Sequence, residues 1–242
     1  MIGVLGIPVG VSNQAPAAAV LNPATLALTG WNRDYAAALP WAGTASAGSS
    51  GSKSLVTAGF GAPAAGGTSN GHGSAAFDGS LFIRDVTANV AGYISTTAYR
   101  VVNVPDFLSA AAPEVNIYQD PAVLIDGSNG AWGVAVNSSY FTAYHYSGGY
   151  KTVTRPFATG KHVLDMSYDG TTLAFSVDGV AGTPVAAGTL VSLGADALLV
   201  GCSYNGANKL VADLYDVMTA QDALASVTPA QFLAYATARY GL

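Results

Sequence analysis

Three tyrosines that alternate along one short segment are the residues of this chain best suited to binding a ligand. In NSSYFTAYHYSGGY, Tyr140, Tyr144 and Tyr146 share one parity, so on a β-strand their side chains project from one face. Tyrosine rings on a flat sheet can stack on sugars while their hydroxyl groups form hydrogen bonds. The alternative is a packed face, which is either the core face, with Phe141 and His145 outside, or a subunit interface. The cost of burying a hydroxyl favours partial exposure, and both interpretations stay open.

A second candidate site is a cation-binding loop in the segment IDGSNG. Asp126, Ser128 and Asn129 supply a carboxylate, a hydroxyl and an amide oxygen within four residues, and calcium prefers oxygen ligands of these kinds. The full twelve-residue calcium-loop pattern is missing, and Asp-Gly-Ser-Asn is also ordinary turn chemistry. Bound calcium and a plain turn therefore remain alternatives, and the sequence predicts no other cofactor.

Residues for hydrolytic chemistry are scarce. Glycosidases work with two carboxylates, but Glu114 is the one glutamate of the chain, and Asp213 and Asp216 have opposite parity on a predicted strand. Three histidines, His162 among them, are available for a Ser-His-Asp triad, yet no serine lies in a nucleophile-elbow pattern. The sequence therefore predicts a protein without enzymatic activity.

Charge is sparse throughout the chain. Charged residues make up 10% of the sequence, against about 25% in an average soluble domain. The net charge of −5 argues against electrostatic capture of nucleic acid, and no run of about eighteen apolar residues indicates a membrane span. Because so few charges contribute little to solubility, we expect much of the surface to be covered in an assembly such as a homo-oligomer.

Most of the chain has the pattern of short strands separated by Gly, Asn, Asp and Ser. The clearest hairpin joins two alternating segments around Asp169-Gly170, a dipeptide that readily takes the positive φ angles of a tight turn. Tyr140–Tyr146 and Lys151–Arg155 are among the other predicted strands. Strands at this density without long helices between them indicate an antiparallel sandwich or barrel.

One helix is predicted at the C-terminal end, in SVTPAQFLAYATARYGL. Thr228 is a suitable N-cap, Pro229 suits the first helical position, and Gln231 completes a capping box. Gly241 is placed to end the helix. Its apolar residues recur at helical spacing, so we expect one stripe of the helix to pack on the sandwich.

The first twenty residues form an arm without charge, which is interrupted by Gly and Pro. We divide the chain into this arm, residues 1–20, and a sandwich domain, residues 21–242. The arm is either an extra strand of the sandwich or a segment that pairs with a neighbouring molecule. The lack of charge favours burial in both cases, and we expect the second alternative. The side chains that would make this contact are Val4, Leu5, Ile7, Val9 and Val11.

Three segments together resemble the laminin-G-like, concanavalin A-like lectin/glucanase superfamily: GKHVLDMSYDGTTLAFSVDGV, ALLVGCSYNG and KLVADLYDVMTAQDAL. PATLALTGWNRDY, PWAGTASAGSSG and the closing ARYGL resemble a subgroup found in bacteriophage virion proteins. The resemblance implies an all-β, two-sheet antiparallel jelly-roll sandwich with a short C-terminal helix. Lys161 stands where family members often have a Trp.

This resemblance leads to one expectation and one alternative. We expect a non-enzymatic structural protein of a bacteriophage particle, on capsid or tail, that lies at the virion surface and contacts other virion proteins through its arm. The alternative is a carbohydrate-binding module for attachment to a host glycan through the three tyrosines. The fold hosts lectins, hydrolases and structural proteins, so the site must decide between them.

Overall fold

The structure is a computed structural model, and it describes eleven parts of the chain. These are residues 21, 29–31, 41–42, 54–55, 64–79, 83–84, 94–108, 115–119, 131–191, 199–201 and 210–242. The strands in these parts are β1 (Thr29–Trp31), β2 (Trp41–Ala42), β3 (Ser54–Leu55), β4 (Ala64–Ser69), β5 (His72–Asp78), β6 (Ile83–Arg84), β7 (Tyr99–Phe107), β8 (Val115–Gln119), β9 (Trp132–Val136), β10 (Tyr140–Tyr146), β11 (Tyr150–Pro156), β12 (Gly160–Lys161), β13 (Leu164–Tyr168), β14 (Thr172–Val177), β15 (Val180–Ala181), β16 (Val185–Ala186), β17 (Leu199–Val200) and β18 (Val211–Ala220). One helix, α1 (Pro229–Tyr240), follows them.

Two antiparallel sheets contain nearly all of these strands. The larger sheet has the order β15-β14-β13-β7-β18-β5-β4, and β1, β12 and β16 pair with β18, β7 and β14 respectively. The smaller sheet has the order β11-β10-β9-β8-β17-β6, while β2 and β3 form a separate pair. This arrangement confirms the predicted all-β, two-sheet antiparallel sandwich with a short C-terminal helix.

The main hydrophobic core lies between the two sheets. The larger sheet contributes Tyr99, Leu164 and Phe175, and the smaller sheet contributes Trp132 and Phe141, each no more than 1% exposed. Apolar burial stabilises a fold by roughly 25 cal/mol per Å². Because so many large side chains meet here, this core holds the sheets face to face.

The hairpin of β13 and β14 confirms the clearest prediction, with one difference at its turn. Gly170 takes a positive φ of 99°, whereas Asp169 contributes through its side chain, which accepts hydrogen bonds from the backbone N–H groups of Thr171–Thr172 at 2.8 Å. The positive φ angles that a two-residue hairpin turn requires occur instead at Asp178 and Gly179, with φ of 51° and 75°, between β14 and β15.

Helix α1 covers the outer face of the larger sheet. Phe232 and Tyr240 of the helix pack with Val102 and Met218 of the sheet in a second buried cluster. The start of the helix follows the prediction, since the Thr228 N–H donates to the Gln231 side chain at 2.8 Å. Gly241 ends it in the left-handed conformation, and its N–H donates to the Thr237 carbonyl.

The arm lies outside the described residues. Val4, Leu5, Ile7, Val9 and Val11 belong to it, so both the boundary at residue 20 and the anchoring role stay predictions. No helix in the described part of the chain is long and apolar enough to cross a membrane.

Candidate functional site

Strand β10 presents its three tyrosines on the outer face of the smaller sheet. Phe141 and His145, on the opposite face, are fully buried, and Phe141 belongs to the main core. By alternation, Tyr140, Tyr144 and Tyr146 therefore belong to the outer face, and Tyr146, the last residue of the strand, is partly buried and also packs against the main core. The alternative in which Phe141 and His145 lie outside is wrong, because these two side chains fill the space between the sheets.

Strand β11 adds a second row of outward side chains beside β10. The antiparallel register places Tyr146 opposite Tyr150 and Tyr144 opposite Thr152. We call the eight outward positions of the hairpin the tyrosine surface. They are Tyr140, Thr142, Tyr144, Tyr146, Tyr150, Thr152, Thr154 and Pro156.

Tyr150 is the centre of a three-ring cluster on this surface. Its ring lies 5.1 Å from the Tyr146 ring and 6.0 Å from the Tyr144 ring, both in edge-to-face geometry. Tyr150 is 42% exposed and Tyr144 is 8% exposed. The two flanking rings hold Tyr150 in place by contacts that aromatic pairs favour, and Tyr150 presents its ring to solvent.

Tyr140 lies at the other end of the tyrosine surface and is 49% exposed. Thr142 and Tyr144 separate it from Tyr146 along the strand. The arrangement thus offers an exposed ring at each end and hydroxyl groups between them. Such a surface can stack on an apolar ring face and exchange hydrogen bonds with hydroxyl groups, which is the chemistry that the three tyrosines predict.

Two cations of β11 point away from the tyrosine surface. Lys151 and Arg155 have the parity of Val153, which is buried in the main core. The Arg155 guanidinium donates to the Ala181 carbonyl on the larger sheet at 3.4 Å. Because β11 ends the described order of its sheet, charges at this position protect the edge against further strand pairing.

His162 forms an acid–base pair, but not a catalytic triad. Its Nδ1 lies 2.7 Å from Asp178 Oδ2, and its Nε2 lies 3.0 Å from the Ala158 carbonyl. Burial alone lowers the pKa of His162, but the hydrogen bond and charge of Asp178, with nearby backbone carbonyls, raise this pKa above its ordinary value overall. Both ring nitrogens face acceptors, as an imidazolium requires, so neither is placed to activate a serine.

His145 is held in the neutral form within the core. The Tyr99 hydroxyl lies 3.0 Å from its Nδ1, and the Gly188 carbonyl lies 2.8 Å from its Nε2. Burial lowers the pKa of His145, against a smaller opposing effect of the Gly188 carbonyl. This histidine therefore has a packing role between the sheets.

The prediction that Asp213 and Asp216 point to opposite faces is wrong. A β-bulge between Leu214 and Asp216 shifts the register of β18, and such a bulge changes which face the following residues take. Ala212 and Leu214 face the main core, so Asp213 between them lies on the outer face of the sheet, where its Oδ2 accepts the Gly67 N–H at 2.7 Å. Asp216 lies on the same outer face, beneath α1, where its Oδ2 accepts a hydrogen bond from the Tyr240 hydroxyl at 2.9 Å. Both carboxylates hold elements of the fold together.

The Lys161 side chain secures the end of α1. Its ammonium group donates to the Tyr240 carbonyl at 3.0 Å and to the Ser69 hydroxyl at 2.5 Å, and it lies 5.3 Å from the Tyr215 ring. A cation near the C-terminus of a helix is favourable because the last carbonyls carry partial negative charge.

The candidate calcium ligands Asp126, Ser128 and Asn129 lie outside the described residues. Within the part of the chain that the structure does describe, no group of three His, Cys, Asp or Glu side chains is close enough to hold a metal ion. Calcium binding at IDGSNG stays a prediction.

Comparison with known proteins gives the fold. No family model and no curated protein matches the sequence. Among solved structures, the chain is similar to a Trypanosoma rangeli sialidase in complex with the inhibitor DANA, with a TM-score of 0.60 and 10% identity over 85% of this chain. It is also similar to the binding domain of Paraclostridial Mosquitocidal Protein 1, with a TM-score of 0.61 and 6% identity over 84% of this chain.

A third similar structure is Domain 4 of AbnA, a GH43 extracellular arabinanase from Geobacillus stearothermophilus, in complex with arabinotriose. Its TM-score is 0.51, at 12% identity over 77% of this chain and 82% of that one. This chain spans 32% of the sialidase chain and 51% of the toxin binding domain. At such low identities the likenesses establish a shared fold, and they agree with the two-sheet β-sandwich.

Proposed function

We propose that this chain is a non-catalytic, carbohydrate-binding β-sandwich module that binds its ligand on the tyrosine surface. The observation that carries the proposal is Tyr150, a residue 42% exposed that two further tyrosines flank on the outer face of the smaller sheet. A ring held in this way loses little conformational entropy when a ligand covers it. Its hydroxyl and those of the neighbouring threonines supply the polar contacts that orient a sugar.

One of the similar structures supports this class of ligand. It is an arabinanase domain in complex with arabinotriose, of which this chain covers 82%. The non-enzymatic part of the proposal is supported by the His162–Asp178 pair and by the structural roles of Asp213 and Asp216. All four side chains are engaged in contacts that hold the fold.

A glycan microarray with the purified full-length chain tests the proposal. We expect selective binding that Tyr150→Ala abolishes, because truncation of a central aromatic anchor commonly costs about 2 kcal/mol or more. Leu108→Ala is the matched control, since Leu108 is 77% exposed and lies outside the tyrosine surface. If the Tyr150→Ala variant still binds, the binding site lies outside the tyrosine surface. If the wild type binds no glycan, the proposal is overturned.

A second proposed function is that of a structural component of a bacteriophage particle, located at the virion surface. The low charge content, 10% of the chain, and the apolar arm favour it, because both suit burial against neighbouring copies or other virion proteins. The two functions are compatible if the arm anchors the chain and the sandwich displays the tyrosine surface.

Charge substitution in the arm tests this second function on the full-length chain. Ile7→Asp with Val9→Asp is expected to abolish co-sedimentation with phage particles stripped of the protein, while the Tyr150→Ala variant still sediments with them. Equal sedimentation of the arm variant and the wild type would place the anchoring surface on the sandwich. If neither the wild type nor either variant sediments with the particles, the proposed virion role is overturned.

A further inference from the structure

The tyrosine surface carries no charged side chain at any of its eight positions. Each position is Tyr, Thr or Pro, and the two cations of β11 have the parity of the core-facing Val153. An acidic ligand would therefore find no counter-charge among these eight side chains, and the chain as a whole has a net charge of −5. Desolvation of an anion without a partner is costly, so this surface suits an uncharged ligand.

The surface is also long. Tyr140 and Tyr146 are the first and last residues of β10, and six steps of about 3.4 Å separate them by roughly 20 Å. Tyr150 lies beside Tyr146 at one end, with the rings 5.1 Å apart, and Tyr140 is exposed at the other. Two stacking positions this far apart cannot both contact one sugar ring.

The span between the two ends has polar side chains. Thr142 and Thr154 lie directly opposite one another in the hairpin register, and Thr152 and Thr154 are exposed. Threonine hydroxyls can both donate and accept hydrogen bonds, which matches the hydroxyl groups along a sugar chain. Along the β10–β11 hairpin, an aromatic ring at each end is therefore separated by a stretch of hydroxyl groups.

We propose that the tyrosine surface selects uncharged glycans and binds them as extended chains, lying along the β10–β11 hairpin from the Tyr146–Tyr150 pair to Tyr140. This inference rests on the proposed carbohydrate-binding function and adds the class of ligand and its orientation. Tyr150 is the stacking position that ligands of any length use. Tyr140 is a second stacking position that only a chain long enough to span the hairpin reaches.

Isothermal titration calorimetry on the full-length chain tests this inference with defined probes. The neutral probes are glucose, xylose and arabinose oligosaccharides of two to eight units, and the acidic probes are oligogalacturonides of the same lengths. We expect at least one neutral series to bind, with an affinity that rises about tenfold or more between its shortest and longest members, equivalent to roughly 1.4 kcal/mol. No acidic probe is expected to bind more tightly than the neutral probe of equal length.

Variants separate the two ends of the surface. Tyr140→Ala is expected to lower the affinity for the longest probes by about tenfold, and to lower the affinity for the shortest bound probe by much less. Tyr150→Ala is expected to weaken binding at every length, and Leu108→Ala at none. An unchanged thermal transition of Tyr140→Ala shows that the fold is intact, as its exposure of 49% implies.

Different failures have different meanings. Preference for the oligogalacturonides, or an affinity independent of length with Tyr140→Ala equal to the wild type, would overturn this inference while carbohydrate binding itself stands. Absence of binding to every probe here and to every glycan on the microarray would overturn the proposed function and the inference together.

Discussion

The two outer faces of the sandwich both contain tyrosines, but they use them in opposite ways. On the larger sheet, α1 covers the face, and the hydroxyl groups of Tyr235 and Tyr240 donate to the buried Asp216 carboxylate at 3.1 and 2.9 Å. On the smaller sheet, Tyr140 and Tyr150 are 49% and 42% exposed. A buried acceptor makes a tyrosine part of the fold, whereas an open sheet face leaves its ring available to a ligand.

Charge separates the two faces as well. Beneath α1, Arg100 forms a bidentate ion pair with Asp165, at 2.8 and 2.6 Å, and both side chains are almost fully buried. The Arg100 guanidinium also donates to the Val227 carbonyl before the helix and lies 4.7 Å from the Phe232 ring. The eight positions of the tyrosine surface have no comparable ion pair, so a buried charge pair helps to hold α1 on the covered face only among these two sets of residues.

Arg100→Met is expected to have the largest effect on stability. The substitution leaves Asp165 as an unpaired buried charge, which costs about 3–5 kcal/mol of unfolding free energy. Chemical denaturation measures this loss. The double variant Arg100→Met with Asp165→Leu removes both charges and is expected to recover part of the loss, and a single variant as stable as the wild type would contradict the role assigned to the pair.

The same substitution on each face gives the most direct contrast. Tyr240→Phe removes one donor to the buried Asp216 and is expected to lower the unfolding free energy by about 1–2 kcal/mol. Tyr150→Phe changes a residue that is 42% exposed and is expected to change stability by less than about 0.5 kcal/mol. Equal losses from the two variants, measured by denaturant unfolding, would mean that the open face is also needed for folding.

A smaller effect is expected from the pH dependence of His162. Because its pKa is raised in the folded state from the ordinary value of 6.5, the stabilisation is complete below about pH 6.5 and is lost as the pH rises through the raised pKa. The pKa of His145 is lowered in the folded state. Its contribution to the unfolding free energy therefore has the opposite pH dependence and decreases as the pH falls below 6.5.

Comparing the wild type with His162→Gln isolates the first of these two effects. The unfolding free energy of the wild type is expected to decrease with rising pH above 6.5 more steeply than that of the variant. Parallel curves for the two proteins would show that the Asp178 contact does not raise the pKa of His162.

Local signals made part of this structure predictable. The β13–β14 hairpin follows from alternation around an Asp-Gly turn, and α1 follows from Thr228, Gln231 and Gly241 at its two ends. The bulge beside Leu214 was not predictable, since counting parity assumes a regular strand.

The candidate site was predictable in part. The parity of the three tyrosines indicated that they share one face of their strand. It did not show which of the two faces of the strand is buried, and the packing of Phe141 in the main core supplies that answer. Tyr150 was not predicted as a site residue because the strand that became β11 was expected to begin at Lys151. The signal that would have found it is the segment Ser147–Gly149, in which Gly148 takes a positive φ of 82° and the loop pairs Tyr146 with Tyr150.

The central claim is that one face builds the fold and the other binds carbohydrate. NMR of the tyrosine rings tests it most directly, using the full-length chain with isotope-labelled tyrosine, assignments from Tyr→Phe variants, and titration with the tightest-binding neutral oligosaccharide. The account predicts that the Tyr146 and Tyr150 signals shift with the ligand, that Tyr140 shifts with long chains only, and that Tyr235 and Tyr240 do not move. Ligand-dependent shifts of Tyr235 and Tyr240 with unmoved Tyr146 and Tyr150 would contradict it.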